Sequence, residues 1–366
     1  MEKAQISTWQ FFVLLFGNLL GTSFFFWPGG LILTAKQDAW MVPLWAGAAG
    51  VLMALIWIKL AEHYPGETLI QICIKAAGKG VGRVIALLYV VFFVHLSAFV
   101  IRIIGDFIKL TMMQRTPLTV LHVMFLLIIC YAVIKGIETI SRAAELMIPI
   151  VTLTFIFIFL AALYEWNSDR FQGMFRMNVW KTVKETRALI AFPFLDAHIF
   201  LMLLPYVQSK KKLSFIMAIV VATLALSGIT FFIIGVLGVT RASRETYPMF
   251  VIVQEIHIGT FFEHLESTIA LILLVAIFIK LSVTYYCAVH GIRQLFQVRD
   301  KSWLAISLIL LISGLTLGFD NVIENTVFTR RSYFEYSLFF GCIFPTLLLV
   351  ITWIKRLKRQ PKEGSS

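Results

Sequence analysis

Long apolar stretches separated by short polar loops run through the whole sequence. A bilayer-spanning helix needs roughly 20 mostly apolar residues, and most of the stretches have about this length. They predict ten transmembrane helices, at residues 9–33, 39–62, 84–110, 118–136, 143–165, 187–207, 213–238, 267–290, 302–319 and 337–355. Two more polar segments, 67–77 and 248–257, are predicted to be short amphipathic helices at opposite membrane interfaces. The pattern predicts an all-α integral membrane protein.

The composition strengthens this interpretation. Of the 366 residues, 59% are hydrophobic and only 14% are charged, whereas soluble domains carry about 25% charged residues. The ten helices and their loops use almost the entire chain, so residues 1–366 are predicted to form a single membrane domain. The four cysteines lie far apart, mostly in apolar stretches, and show no spacing typical of a disulfide framework.

The net charge of +12 is better explained by membrane topology than by a nucleic-acid partner, because Lys and Arg lie mainly in the loops. More than half of these basic residues fall on the inner side if the N-terminus is cytoplasmic. We therefore predict a multi-pass cell-membrane protein with both termini in the cytoplasm. Residues 356–366 form a basic cytoplasmic tail, and no nucleic-acid binding is expected.

Ten helices divide into two sets of five around the long loop at 166–187. Because five is odd, the second set enters the membrane in the opposite direction to the first. Inverted repeats of this kind build many secondary transporters, and matching breaks in the two halves mark the ligand site. The predicted repeats are residues 9–165 and 187–355.

The first predicted helix contains glycine and small hydroxyl residues near its middle, at Gly21, Thr22 and Ser23. Glycine weakens a membrane helix, and hydroxyl groups can replace the backbone hydrogen bonds that are lost. An unwound segment here would point a half-helix N-terminus at a cavity, which favours an anion such as a carboxylate. Alternatively, Gly17 and Gly21 only allow another helix to pack closely. This segment alone leaves both explanations open.

The sixth predicted helix is interrupted by Pro193, which removes a helical hydrogen bond and clashes with the preceding turn. Asp196 follows three residues later. A carboxylate at this depth costs roughly 2.5–3.5 kcal/mol on insertion scales, so it is expected to face a cavity or a partner. Both predicted halves therefore break their first helix, which favours a ligand cavity between them.

Lys280 lies near the middle of the eighth predicted helix. A buried ammonium group needs a counter-ion, and either Asp196 or a carboxylate of a bound ligand could provide it. The alternative is that the side chain extends to the membrane surface.

On the third helix, five residues share one face: His95, Phe99, Arg102, Asp106 and Lys109. Arg102 and Asp106 are expected to pair with each other, although the face could also line an outer vestibule, and the role of His95 stays open.

The sequence contains no nucleotide-binding loop, no cluster with metal-ligand spacing and no defensible pair of nucleophile and base. We therefore expect neither an enzyme nor a site for a cofactor or a metal.

Three segments carry a family resemblance. The stretch 20–28 (LGTSFFFWP), the sixth-helix break with its acidic residue, and the stretch 261–267 (FFEHLES) together resemble the B subunits of spore germination receptors (GerAB/GerKB type). That family is similar to amino acid/polyamine/organocation permeases, which have the leucine-transporter fold of two inverted five-helix repeats. The resemblance extends over the whole chain, although each motif by itself is loose.

The resemblance implies a germinant-sensing subunit in the inner membrane of the spore, in complex with receptor A and C subunits. By carry-over, the ligand pocket is lined by Gly21, Thr22, Pro193, Asp196, Lys280 and Thr284. From their positions, Ser23, His95 and Phe192 are added as candidate ligand-binding residues. Two departures concern this carry-over: His264 stands where relatives usually have Arg, and the sixth-helix break lacks their glycine. Phe192 and Phe194 are therefore expected to narrow the pocket.

Three hypotheses follow for the function. The chain could be a sensor that binds a small nutrient, most simply an amino acid, and signals to partner subunits so that germination starts. It could be a secondary amino-acid transporter, with Lys280 or Asp196 as the group that couples transport to protons and the lysine ammonium in place of a sodium ion. It could also be a structural subunit with an unused pocket. A sugar or a nucleoside would suit the aromatic lining nearly as well as an amino acid.

Overall fold

A computed structural model of the protein describes residues 4–255, 265–318, 324, 328 and 332–359. These residues are almost entirely helical, and the one β contact among them is an isolated parallel bridge between Ile6 and Val207. The α-helices are α1 Thr8–Leu20, α2 Ser23–Phe26, α3 Pro28–Ala35, α4 Val42–Glu62, α5 Leu69–Ala77, α6 Val81–Thr111, α7 Leu118–Lys135, α8 Ile137–Ala162, α9 Val179–Leu189, α10 Lys211–Ala242, α11 Pro248–Glu255, α12 Leu265–Phe296, α13 Lys301–Thr316, α14 Tyr333–Leu338 and α15 Phe344–Arg359.

Short 3₁₀ and π turns join several of these helices. A π turn at Ile190–Phe194 and a 3₁₀ helix at Leu195–Met202 continue the chain after α9, and a π turn at Phe339–Ile343 joins α14 to α15. Within the described ranges, eight helical runs are long and apolar enough to cross a bilayer. The shorter apolar helix α13 is additional, and residues 190–206 are too fragmented to be counted. The protein is thus a multi-helix membrane protein, while the number of ten crossings stays a prediction.

Several predicted helices differ from the observed ones. The first is divided into α1, α2 and α3, and the sixth begins earlier, because α9 starts at Val179 in the segment that we predict to be a loop. The Asn178 side chain caps α9 by accepting a hydrogen bond from the Lys181 N–H. The seventh helix, α10, is longer than predicted and contains a kink at Gly238.

Both segments predicted to be short amphipathic helices are helical. Helix α5 begins after Thr68, whose side chain forms a capping box with Gln71, and its apolar residues Leu69, Ile70, Ile72 and Cys73 are buried. Helix α11 covers 248–255 of the second segment, and residues 256–257 lie outside the described ranges. The location of both helices at the membrane surface stays a prediction.

Helix α1 lies in the interior of the bundle, where it packs against α8, α10 and α12. Helix α6 packs along α12 and α13, while the interrupted segment after α9 packs against α1, α4 and α14. By contrast, much of α8 is exposed, as Leu146, Leu153 and Leu160 illustrate. In a membrane protein such apolar exposure is typical of a lipid-facing helix. The proposed repeats, 9–165 and 187–355, and the tail, 356–366, of which residues 360–366 are not described, stay predictions.

Candidate functional site

The interruption of the first membrane segment lies at Gly21 and Thr22. The Gly21 N–H still donates to the Gly17 carbonyl oxygen at 2.8 Å. Beyond it the backbone leaves the helix, with φ −1° and ψ −86° at Gly21, and α2 starts at Ser23. The sequence-based prediction of a broken helix at this place agrees with the structure.

Gly17 and Gly21 have different surroundings. A Cβ atom on Gly17 would lie 3.1 Å from a methyl group of Ile279 and 3.3 Å from one of Ile148, so Gly17 permits close packing of α1 on α12 and α8. A Cβ atom on Gly21 would lie 3.2 Å from Cδ of Lys280 and 3.1 Å from the Gly17 carbonyl oxygen. Gly21 therefore leaves room for the lysine side chain beside the break. The packing explanation applies to Gly17, and the interruption of the helix lies at Gly21.

Small polar side chains with no protein partner surround the break in α1. The hydroxyl groups of Thr22 and Ser23 and the side-chain amide of Asn18 are buried and make no hydrogen bond to the described residues. Ser282, on α12, has an unpartnered buried hydroxyl group as well. Buried polar groups are usually hydrogen-bonded, so each unsatisfied group needs an explanation such as water or a ligand. The three such side chains beside the break in α1 favour a polar binding site.

The sixth membrane segment breaks between Phe192 and Pro193, which are joined by a cis peptide bond. Phe192 has non-helical backbone angles, φ −117° and ψ 106°, and its side chain is fully buried. Its ring makes edge-to-face contacts with Phe99 and Tyr333, at centroid distances of 5.5 and 5.9 Å. Phe194 instead packs against Gly50 of α4. Of the two phenylalanines expected to narrow the pocket, the structure brings Phe192 to Lys280 and packs Phe194 against α4.

Lys280 is fully buried, and its ammonium nitrogen lies 3.6 Å above the centre of the Phe192 ring. An ammonium group over an aromatic face is attracted by the ring quadrupole, most strongly where both are desolvated. The ammonium group has no hydrogen-bond partner in the described part of the chain. The side chain therefore does not extend to the membrane surface. Its ammonium group interacts with the Phe192 ring and has no hydrogen-bond acceptor among the described residues.

Asp196 has its own partners. One carboxylate oxygen accepts a hydrogen bond of 2.8 Å from the Tyr333 hydroxyl, and the other accepts one of 3.0 Å from the Ser337 hydroxyl. Asp196 is near enough to Lys280 for electrostatic attraction, but the ion pairs among the described residues do not include these two side chains. Asp196, one of the two counter-ions considered for Lys280, therefore makes no direct ion pair with it. Tyr333 and Ser337, four residues apart in an apolar helix, were not identified from the sequence.

Thr284 and His95 lie differently from the other predicted site residues. The Thr284 hydroxyl donates to the Leu281 carbonyl oxygen within α12. The His95 ring is half-buried and packs edge-to-face on Tyr336 at 5.3 Å. One turn further along α6, the Phe99 ring stacks on the Tyr333 ring at a centroid distance of 5.3 Å. Helix α6 therefore also forms part of the site.

Further along the same face of α6, Arg102 and Asp106 form a buried ion pair at 2.8 Å, as predicted, and Arg102 also donates to the Thr316 carbonyl oxygen. Of the stretch 261–267 that carries part of the family resemblance, residues 261–264, including His264, lie outside the described ranges.

The site is closed towards both ends of the bundle. On one side, Phe25 of α2 packs against Phe107 of α6 and Tyr247 ahead of α11, at centroid distances of 4.9 and 4.8 Å. On the other side, Ile6 is fully buried and bridged to Val207, and Thr8 donates to the Ser209 carbonyl oxygen. In the described part of the chain, contacts between separate segments thus cover the site on both sides. In the described ranges, no group of three or more His, Cys, Asp or Glu residues could hold a metal ion.

Comparisons with known proteins agree with this architecture. The family model described as "Spore germination protein" matches residues 5–320. The chain is similar to spore germination protein KB of Bacillus subtilis (strain 168), with 25% identity over 100% of this chain and 99% of the relative. It is also similar to spore germination protein YndE of the same organism, with 27% identity over 88% of this chain and 89% of the relative.

Among solved structures, the chain resembles MhsT, whose crystal structure was determined in complex with L-phenylalanine. The TM-score is 0.66, with 15% identity over 95% of this chain and 96% of that one. This similarity establishes a leucine-transporter-like fold, as the sequence resemblance implied. It concerns the fold only, because the identity is low.

Proposed function

Because this chain belongs to the spore germination protein family, a family of transporter-like membrane proteins rather than enzymes, we propose that it is the germinant-sensing membrane subunit of a spore nutrient receptor. In this proposal a small nutrient binds between the interrupted segments at Gly21–Thr22 and Phe192–Pro193. Binding changes the arrangement of these segments, and the receptor A and C subunits respond to that change and start germination. The complex resides in the inner membrane of the spore, with both termini of this chain in the cytoplasm.

The observation that carries the proposal is the environment of the Lys280 ammonium group. Its ammonium group is fully buried, lies over the Phe192 ring and has no hydrogen-bond acceptor among the described residues. A buried charge is tolerated when it is paired and hydrogen-bonded. A ligand carboxylate would supply both interactions, and the unpartnered groups of Asn18, Thr22 and Ser23 could bind the remaining polar atoms of the ligand. An amino acid is therefore the ligand class that this site favours.

The contacts of Phe192 suggest how binding could be transmitted. The ring lies between the Lys280 ammonium and the Tyr333 ring of α14, and Tyr333 in turn holds Asp196. A carboxylate at Lys280 would weaken the attraction of the ammonium for Phe192 and release the ring. A ligand can shift such an equilibrium only through different affinities for the two arrangements. The proposed difference is whether Lys280 is bound to the ring or to the carboxylate.

Ligand-induced thermal stabilisation of the detergent-solubilised protein tests the proposal. A ligand at 100 times its Kd stabilises the folded state by about 2.7 kcal/mol, so at least one member of an amino-acid, sugar and nucleoside panel should raise the melting temperature. Lys280→Met should abolish the shift for a carboxylate-bearing ligand. Lys59→Met, at an exposed position of α4, should preserve it. A shift of equal size in the Lys280 variant would refute the proposed carboxylate contact.

The fold also favours a second candidate function, secondary transport, because the similar structure of MhsT holds an amino acid. In this alternative, Lys280 or Asp196 would couple transport to protons. Uptake of a labelled amino acid by the purified chain in liposomes, without partner subunits, would support the transporter. Binding without uptake would support the sensor.

A further inference from the structure

A cavity lies behind the break in the first membrane segment, and its lining does not include Lys280. Its volume is about 420 Å³, within the range of small-molecule sites. It is enclosed by α1, α8, α10 and α12, with Gly17, Leu20 and Gly21 as part of its inner wall. The side chain of Trp166 closes one end and packs on Phe231 and Phe232.

The lining is unsuited to a polar ligand. Thr152 is the one side chain with a polar oxygen in the lining, and its hydroxyl already donates to the Ile148 carbonyl oxygen at 2.9 Å. Genuinely empty cavities with such linings stay dry and take up apolar molecules. A polar nutrient would lose its hydrogen bonds to water on entry and gain none. The occupant that fits this chemistry is a hydrocarbon.

The cavity opens on the lipid-facing surface of the protein. Thr152 and Ile156 of α8 and Gly228 of α10 line it and are exposed. The surface beside this opening is apolar as well, with Leu153, Leu160 and Leu224 more than half exposed. The opening is therefore continuous with the surface that contacts the bilayer, and the molecules at its entrance are lipid acyl chains.

From this we propose that the cavity binds the acyl chain of a membrane phospholipid, which lies against Gly17, Leu20 and Gly21 from the side of α8 and α10. The acyl chain gains no hydrophobic transfer energy when it leaves the bilayer for the cavity. It gains dispersion contacts with a wall that would otherwise have no neighbouring atoms. The bound lipid supports the non-helical segment of α1 laterally and so links the state of the bilayer to the position of the break.

Photo-crosslinking of a phospholipid tests the proposal directly. The full chain is reconstituted in phosphatidylcholine vesicles that contain phosphatidylcholine with a diazirine in the middle of one acyl chain, and labelled residues are identified by mass spectrometry. Gly17, Gly21 and Phe24 are buried and are accessible to an acyl chain only through the cavity. We expect label on these residues in the wild-type protein. Label confined to exposed residues such as Leu153 would overturn the proposal without any variant.

Two matched substitutions separate cavity binding from general lipid contact. A Cβ atom on Gly228 would meet no atom within 4 Å, and the same is true of Gly314, an exposed glycine in α13 away from the cavity. Gly228→Leu should fill the entrance and remove the label from Gly17, Gly21 and Phe24, whereas Gly314→Leu should keep it. The label on Leu153 serves as an internal standard in all samples.

Ala225→Leu, one turn away in the same lining, replaces Gly228→Leu if that variant does not fold. Undiminished label on the buried residues in a folded, cavity-filled variant would overturn the proposal. The experiment requires no nutrient, so its outcome is independent of the proposed sensor function.

Discussion

At the scale of single residues, the site depends on a small residue placed beside a large one. Gly21 has no side chain where the Lys280 stem passes, and Lys280 fills that space with its methylene groups before its ammonium reaches Phe192. The aromatic ring partly compensates the charge, by roughly 2 kcal/mol or more for a desolvated contact. No hydrogen-bond acceptor among the described residues completes this compensation.

Two glycine substitutions test the close contact at this position. Gly21→Ala places a Cβ atom 3.2 Å from Lys280 and 3.1 Å from a backbone oxygen, so it should destabilise the protein by about 1–3 kcal/mol through overpacking. Gly228→Ala introduces the same methyl group into open space within a helix. It should be neutral or stabilising by up to about 1 kcal/mol, because alanine is the better helix former.

Thermal unfolding in one detergent measures both glycine variants, and Gly21→Ala should also reduce the nutrient-induced shift. Equal stability of the two variants would contradict the tight packing of Lys280 against the break.

At the scale of elements, the fold connects its interrupted segments through polar contacts between helices. Asp196, after the sixth-segment break, accepts hydrogen bonds from Tyr333 and Ser337 on α14. The π turn after α14 frees the carbonyl groups of Phe340 and Gly341, which accept hydrogen bonds from Tyr89 and Trp57. The last membrane segment is therefore held to the sixth, third and second segments by specific hydrogen bonds.

This arrangement predicts the effect of Asp196→Asn. The substitution removes the negative charge and replaces one of the two acceptor oxygens by an NH₂ group, which weakens the attachment of α14. A loss of about 1.5–3 kcal/mol is expected, the usual contribution of a hydrogen bond to a charged group. Chemical denaturation in detergent measures this loss, with the exposed Glu185→Gln in α9 as the control for loss of a carboxylate.

If Asp196 acts through α14, Tyr333→Phe should produce a loss of similar direction. The two substitutions combined should cost less than the sum of the single losses, because both alter the same Tyr333–Asp196 contact. Full additivity would show that the Tyr333–Asp196 contact carries no energy.

The sequence was informative about local features and less so about contacts between distant segments. The breaks at Gly21 and Pro193 could be predicted because glycine and proline act on their own backbone. The partners of Asp196 could not, since Tyr333 and Ser337 follow 137 and 141 residues later. The contact of Phe192 with Lys280 was inaccessible for the same reason. Helix α9 was predicted as a loop because its exposed face carries Lys181, Lys184 and Glu185, although its other face is buried.

At the scale of the whole molecule, the structure encloses the site from both directions. Phe25, Phe107 and Tyr247 form an aromatic contact on one side, and residues 6–8 attach to residues 207–209 on the other. Both closures consist of non-covalent contacts between separate segments, and they share no residue, so opening one breaks no contact of the other.

Thiol labelling measures the two closures. In a chain whose four cysteines (Cys73, Cys130, Cys287 and Cys342) are replaced by alanine, Thr22→Cys should react slowly with a membrane-impermeant maleimide applied to either side. Trp180→Cys, at a position 81% exposed, should react rapidly from its own side and serves as the control.

Adding Ile6→Glu should accelerate labelling of Thr22→Cys from the side of the N-terminus alone, because a charged residue cannot occupy the fully buried position of Ile6. Rapid labelling of Thr22→Cys without the Ile6 substitution would show that the site is open.

The contact between Gly21 and Lys280 also restricts how this protein can diverge from its relatives. As long as position 280 is a lysine that passes within 3.2 Å of a Cβ at position 21, selection should retain glycine there. A relative with a short residue at position 280 is released from this restriction and can accept alanine or serine at position 21. Aligned germination proteins should therefore show correlated substitution at these two positions, which are 259 residues apart in the sequence. Independent variation of the two would indicate that the side chains are not neighbours across the family.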